Sequence, residues 1–245
     1  QIFGLPYYIF AIIYAFVIPQ RVLKLNSYSL SDHFLITYGA KAGIISALYV
    51  LVLASPAPYI LSLGVLTSFI TGISPQMSII LTTSFTFLYL WKGGFGAIIR
   101  TDLIQFILMF LGFFLLLFFC LDHKPFSTMI SELPKTFLTK EGLGSLQYIF
   151  VWFFIAMWTF VDPGFYQRII ASGSIRVAKK GILISVLFWF IFDILTISTA
   201  LYAKTLFPFS NPLFIYPELA YEVLPPLLSG IFITGLIATI MSTID

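Results

Sequence analysis

Apolar runs of about twenty residues recur along this chain, and they decide the solvent in which it can fold. A helix needs about twenty apolar residues to cross the hydrocarbon of a bilayer. Hydropathy marks seven runs, at roughly 2–20, 42–71, 76–91, 96–121, 146–164, 180–203 and 224–245. Hydrophobic residues make up 60% of the chain and charged residues 9%, where a soluble domain carries about a quarter charged. One aqueous core cannot hide that much apolar surface, so the solvent includes lipid. In lipid every backbone polar group must be satisfied internally, which leaves helices as the means of crossing. The expected fold class is therefore all-α integral membrane, with seven transmembrane helices. Twenty-eight Phe and thirteen Tyr suit lipid-facing and interfacial positions.

Punctuation between the runs supports this division. Asn26-Ser27, Gly72 to Pro75, Gly93-Gly94, Gly173-Ser174 and the stretch Pro208 to Pro217 are turn signals. The second run carries Pro56 and Pro58, which predict a kink or a steep tilt. Residues 122–145 form a long connection, amphipathic from Met129 to Phe137, either a short helix on the membrane surface or a solvated connector. The chain starts at Gln1 and stops at Asp245 inside helix-like sequence, so it reads as one membrane domain, 1–245, truncated at both ends. Basic residues fall in the odd connections: Arg21, Lys24 and Lys41; Lys92 and Arg100; Arg168, Arg176, Lys179 and Lys180. The even ones hold Lys124, Lys135, Lys140 and Lys204, diluted by Asp122, Glu132, Glu141, Glu218 and Glu222. The positive-inside rule then puts the odd connections in the cytoplasm and Gln1 outside.

Several chemistries are disfavoured. Cys120 is the sole cysteine, which excludes an internal disulfide and a Cys-based metal cluster. His33 and His123 have no partners at metal-ligand spacing, and His33 falls where Ser29 to Asp32 begin a short helix. No Gly-x-Ser-x-Gly or Gly-x-x-x-x-Gly-Lys occurs, so neither a hydrolase elbow nor a P-loop is expected, and the chain reads as a non-enzyme. The formal charge of +3 is spread over loops, so no nucleic-acid partner is expected.

Three polar groups interrupt the apolar sequence. The first is Lys92-Gly93-Gly94-Phe95-Gly96-Ala97-Ile98-Ile99-Arg100-Thr101-Asp102-Leu103-Ile104-Gln105. Charges at the edge of hydrocarbon are expensive and are commonly placed to meet an ion or a partner. A helix-start carboxylate gains from the helix dipole, which accounts for Asp102 but not for Arg100 or for Gln105 one turn on. In the second group, Thr239, Ser242 and Thr243 share a helix face. Their hydroxyls either bond their own backbone or, with carbonyls freed by local distortion, offer the hard oxygen ligands that suit a small alkali cation. Asp245 extends that face, and two carboxylates there would invite a second cation or a shared proton. In the third, Trp158-Thr159-Phe160-Val161-Asp162-Pro163-Gly164, the Pro and Gly stop regular helix and Asp162 is placed to cap the turn. Trp158 is either a packing anchor or a cavity residue. Asp193, at mid-depth, calls for an interior hydrogen-bonding partner, and the stripe Thr82, Thr83, Ser84 and Thr86 reads as helix packing.

The pattern Gly-Gly-x-x-Ala-Ile-x-x-Thr-Asp-x-x-Gln, the run Met241-Ser242-Thr243 and the Pro163 to Arg168 segment together resemble the solute:sodium symporter family. The resemblance implies a leucine-transporter-type fold of two inverted five-helix repeats. About 1–121 would be the last four helices of repeat one and about 146–245 the first three of repeat two. It implies sodium-coupled uptake of a small organic solute across the cytoplasmic (plasma) membrane by alternating access. Sodium would be bound by Ser242, Thr243 and Thr239. Asp102 would lie beneath it on the exit route, and Asp245 would serve a second cation. The solute would sit near Trp158 and Thr159. The alternative is a symporter-like sensor module joined to a cytoplasmic signalling domain.

Overall fold

The computed structural model describes residues 4–25, 27–139, 144–207 and 211–244, and their side chains except at 89–95 and 97. Among the described residues all regular structure is helical. The helices are α1 Gly4–Val17, α2 Pro19–Val22, α3 Leu30–Tyr38, α4 Ala40–Leu53, α5 Ala57–Thr71, α6 Pro75–His123, α7 Phe126–Glu132, α8 Leu146–Ala156, α9 Pro163–Ser172, α10 Ile175–Leu206, α11 Ile215–Val223 and α12 Pro226–Ile244. Helix starts follow local chemistry. The side chains of Ser29, Ser74, Ser145 and Asp162 accept from the main-chain N–H three residues on, opening α3, α6, α8 and α9. Gly72 and Gly173 end α5 and α9 in the left-handed region that favours glycine (φ 74° and 61°).

Six stretches are long and apolar enough to cross a membrane: Gly4–Val22, Ala40–Thr71, Ile98–His123, Leu146–Ser172, Ile175–Leu206 and Pro226–Ile244. The chain is thus a multi-pass membrane protein. Two places bear on the sequence expectation, the first as its prolines implied and the second differently. The run 42–71 is interrupted between Leu53 and Ala57, because Pro56 has no N–H to continue α4 and starts α5 instead. The runs 76–91 and 96–121 belong to one 49-residue helix, α6, which continues through Gly93-Gly94. Glycine permits a turn without compelling one; within a helix each costs about 1 kcal/mol relative to Ala.

Two compact units divide the chain. The first comprises 1–55 and 135–193, the second 56–134 and 194–245. In the first, Ala11, Tyr14 and Ala15 of α1, Val22 of α2, Tyr166 and Ile169 of α9 and Ala178, Ile182 and Val186 of α10 form one apolar cluster. A buried 2.6 Å hydrogen bond between the Ser27 and Tyr166 hydroxyls closes one side of it. Phe10 meets Phe153 and Phe160 edge-on.

The second unit is built on small residues, which let helices approach where lipid provides no hydrophobic drive between them. A Cβ at Gly64 of α5 would fall 2.2 Å from the Ile79 side chain of α6. A Cβ at Gly235 of α12 would fall 2.8 Å from the Leu108 carbonyl oxygen of α6. The connection after α6 carries a docked helix, as its amphipathic pattern allowed: Met129 of α7 is fully buried. Lys124 Nζ holds it, pairing with Glu132 at 2.5 Å and donating to the Thr205 carbonyl at the end of α10 at 2.9 Å.

Because a main-chain oxygen cannot move aside cheaply, Gly235→Leu should destabilise the protein by ~1–3 kcal/mol through overpacking, read as a lower unfolding temperature in detergent. Gly230→Ala, whose Cβ would meet nothing within 4 Å, should leave that temperature unchanged or slightly raised.

Candidate functional site

In the first unit the helix beginning at Leu146 loses its regular pitch just before Trp158. α8 ends at Ala156, a 3-10 segment covers Met157–Val161, and α9 restarts at Pro163. Asp162 holds the restart together. Its Oδ1 accepts the Phe165 N–H at 2.9 Å, and its Oδ2 accepts the Trp158 indole N–H at 3.3 Å. The cap expected of Asp162 is therefore present and is shared with the tryptophan. Trp158, half-buried, borders an open depression with Tyr7 and the exposed side chains of Leu53, Phe154 and Ile155. Thr159 points elsewhere: it is buried, and its hydroxyl donates to the Ala156 carbonyl at 2.9 Å. Tyr7 and Leu53 escaped the sequence reading because nothing local ties residues 7 and 53 to residue 158.

In the second unit α12 packs along α6. Phe232 lies against Gly112, and Gly235 against Leu108, so the two helices run antiparallel. Thr239 and Ser242 follow Gly235 by about one and two turns of α12, and Gln105 and Asp102 precede Leu108 by about one and two turns of α6. Asp102 and Gln105 are half-buried, and the Oε1 of Gln105 is buried with no hydrogen-bond partner among the described residues. The α12 hydroxyls bond to their own helix. Thr239 donates to Gly235 O at 2.8 Å, while Ser242 and Thr243 both donate to Thr239 O at 3.0 and 3.2 Å. Such bonds use the hydroxyl proton and leave the oxygen lone pairs available. The donor set therefore fits a hard monovalent cation, which takes lone pairs and needs no proton. Asp245 lies outside the described residues. Among the described residues no group of three or more His, Cys, Asp or Glu could hold a metal ion.

Asp193 finds a partner that the sequence left unnamed. The Tyr8 hydroxyl of α1 donates to its Oδ2 across 185 positions of sequence. Gly4, one turn before Tyr8, makes room for the carboxylate, since a Cβ there would fall 2.5 Å from Oδ2. Phe190 meets the Tyr8 ring edge-on at 6.3 Å between centroids. Outside the spans, Tyr216 of α11 donates to Thr196 O at 3.1 Å, and burial pushes its phenol above the ordinary tyrosine value.

Residues 2–245 match the model of a family described as SSF: Sodium:solute symporter family. The match spans nearly the whole chain, and the chain belongs to that family, a family of membrane transporters. No curated protein matches it.

Tyr8→Phe deletes one donor to an intramembrane carboxylate and should lower stability by ~1 kcal/mol, within the range measured for interhelical bonds in membranes. A double-mutant cycle with Asp193→Asn, read by thermal unfolding, should return a coupling energy of about that size. Additive losses would mean the two side chains do not interact.

Proposed function

We propose that this sodium:solute symporter chain belongs to a sodium-coupled carrier for a small organic solute in the plasma membrane, working by alternating access. The observation that carries this reading is the antiparallel contact of α12 with α6 at Phe232–Gly112 and Gly235–Leu108; continued two turns, it would bring Thr239 and Ser242 level with Gln105 and Asp102. A sodium ion would be held by the lone pairs of Thr239, Ser242 and Thr243. Asp102 would attract it as it leaves and Asp245 would serve a second cation. Bound there, the ion supplies positive charge in a low-dielectric setting, where it counts for far more than in water. The solute would occupy the depression bordered by Trp158, with Thr159 buttressing the 3-10 segment behind the indole. In the family's inverted-repeat plan, about 1–121 would supply the last four helices of repeat one and about 146–245 the first three of repeat two.

Topology in the bilayer supports seven crossings. Val22, Ile169 and Ala178 share one apolar cluster, so residues around 22 and 169–178 lie at one membrane face. Between them lie the runs 42–71, 75–123 and 146–162. Reading 75–123 as one crossing gives an odd number and separates those residues; two crossings return them to the same face. Laid straight, 49 residues at ~1.5 Å each would run ~73 Å, more than twice the ~30 Å of hydrocarbon. The reading therefore has the helical backbone of α6 bend back on itself about Gly93-Gly94, in accord with Ile237 and Met241 of α12 bordering Leu81, Thr82 and Phe85 while Gly235 lies against Leu108. On a Cys120→Ser background, Gly93→Cys should react with an impermeant thiol reagent from the same side as Lys24→Cys, and from the side opposite Lys204→Cys. Reaction from the Lys204 side would sink the seven-crossing topology.

The functional test is uptake by the full-length protein in proteoliposomes, across a mixed solute panel, with and without an imposed sodium gradient. Accumulation should require sodium. Ser242→Ala should raise the sodium concentration for half-maximal uptake about tenfold, the effect of losing ~1.4 kcal/mol of ligation. Unaltered sodium activation would remove Ser242 from the site, and solute binding without accumulation would overturn the carrier reading.

A further inference from the structure

Five basic side chains gather at one end of the first unit. Arg21 and Lys24 flank Val22, while Arg176, Lys179 and Lys180 surround Ala178, and Val22 and Ala178 belong to one apolar cluster. Lys179 stands with its ammonium 3.6 Å from the centre of the Phe16 ring, which fixes that charge at the edge of α1. Arg168 is not part of the group, because its guanidinium folds back over Gly164.

None of the five makes an ion pair among the described residues, where the salt bridge is Lys124–Glu132. Of the described acids of this unit, Asp162 and Asp193 are engaged elsewhere, and Asp32, two residues from Leu30 at the edge of the cluster, makes no ion pair with the five. Asp162 caps α9 and holds Trp158, Asp193 accepts from Tyr8, and Asp32 lies in the first turn of α3. Three of the cations occupy the opening turns of α10, whose first turn has no acid. The positive end of a helix dipole repels cations, a cost that the Phe16 ring offsets in part at Lys179 and that no ion pair among the described residues offsets at Arg176 or Lys180.

The rim is apolar. Phe16, Val17, Leu25, Ile175 and Val177 are between 37% and 56% exposed. Cations set against exposed aliphatic and aromatic groups match the boundary between acyl chains and headgroups, where long basic side chains reach outward. A free anion in water would have no use for that rim.

We propose that this face binds the phosphate headgroups of anionic phospholipids, with Arg176, Lys179 and Lys180 as the primary contacts and Arg21 and Lys24 completing the site. The site is separate from the Trp158 depression and from the α12 hydroxyls, and it stands whether or not the transport reading does.

The test uses the full-length protein purified from nanodiscs containing equal phosphatidylglycerol and phosphatidylcholine, with retained lipid measured by native mass spectrometry. The wild type should retain phosphatidylglycerol preferentially. Arg176→Gln, Lys179→Gln and Lys180→Gln should each weaken retention about fivefold, as expected for loss of one interfacial charge. The charge-conserving set Arg176→Lys, Lys179→Arg and Lys180→Arg should keep the preference, which separates charge from misfolding. Equal retention of the two lipids by the wild type overturns the proposal without any variant. So does a preference that survives neutralisation of all three residues. Displacement of the lipid by millimolar inorganic phosphate would assign the site to a free anion and overturn it as well.

Discussion

Every feature of this chain depends on the requirement that backbone N–H and C=O groups in hydrocarbon find partners within the protein. Helices meet it residue by residue, which is why the described residues contain no other regular structure. The same requirement gives the exceptions their meaning. Where α8 tightens into a 3-10 segment and stops at Asp162, side chains take over the bonding: the Thr159 hydroxyl covers the Ala156 carbonyl, and Asp162 receives the Phe165 N–H in the first turn of α9. An interruption of this kind at membrane depth is tolerated where it is buried in protein or borders a cavity; here Thr159 is buried, and Trp158 borders an open depression.

Polar side chains obey the same rule with different solutions. Tyr8 and Asp193 satisfy each other between two helices, with Gly4 giving them room. Lys124 satisfies a carboxylate and a helix-terminal carbonyl at once. The hydroxyls of α12 turn inward onto their own helix and keep their acceptor capacity. The basic group around Ala178 does none of these, and for that reason its partner is sought outside the chain.

How far the sequence could be read depended on how local the determining interaction was. Hydropathy located the apolar runs because twenty-residue apolar windows are a local property. The starts of α3 and α9 were visible in Ser29 and Asp162, which act three residues away. Pro56 announced the interruption of the second run. Gly93-Gly94 did not decide its own conformation, since glycine allows both helix and turn. Distant pairings were out of reach: nothing near Asp193 points to Tyr8, and nothing near Trp158 points to Tyr7 and Leu53. The hydroxyls at 239, 242 and 243 were recognisable as a face, but their alignment with Asp102 and Gln105 required the packing of Gly235 and Gly112 between two separate helices.

Asp162 has one more consequence. One of its oxygens holds the first turn of α9 and the other holds the Trp158 indole, so the ring and the helix start hang from a single rigid carboxylate. Swinging the indole away either breaks its bond or rotates the carboxylate and loosens the turn that Phe165 closes. Tyr14, which packs on Phe165 at 5.2 Å between ring centroids, would feel that loosening in turn. The indole ring and the packing between α1 and α9 are thus joined through one side chain.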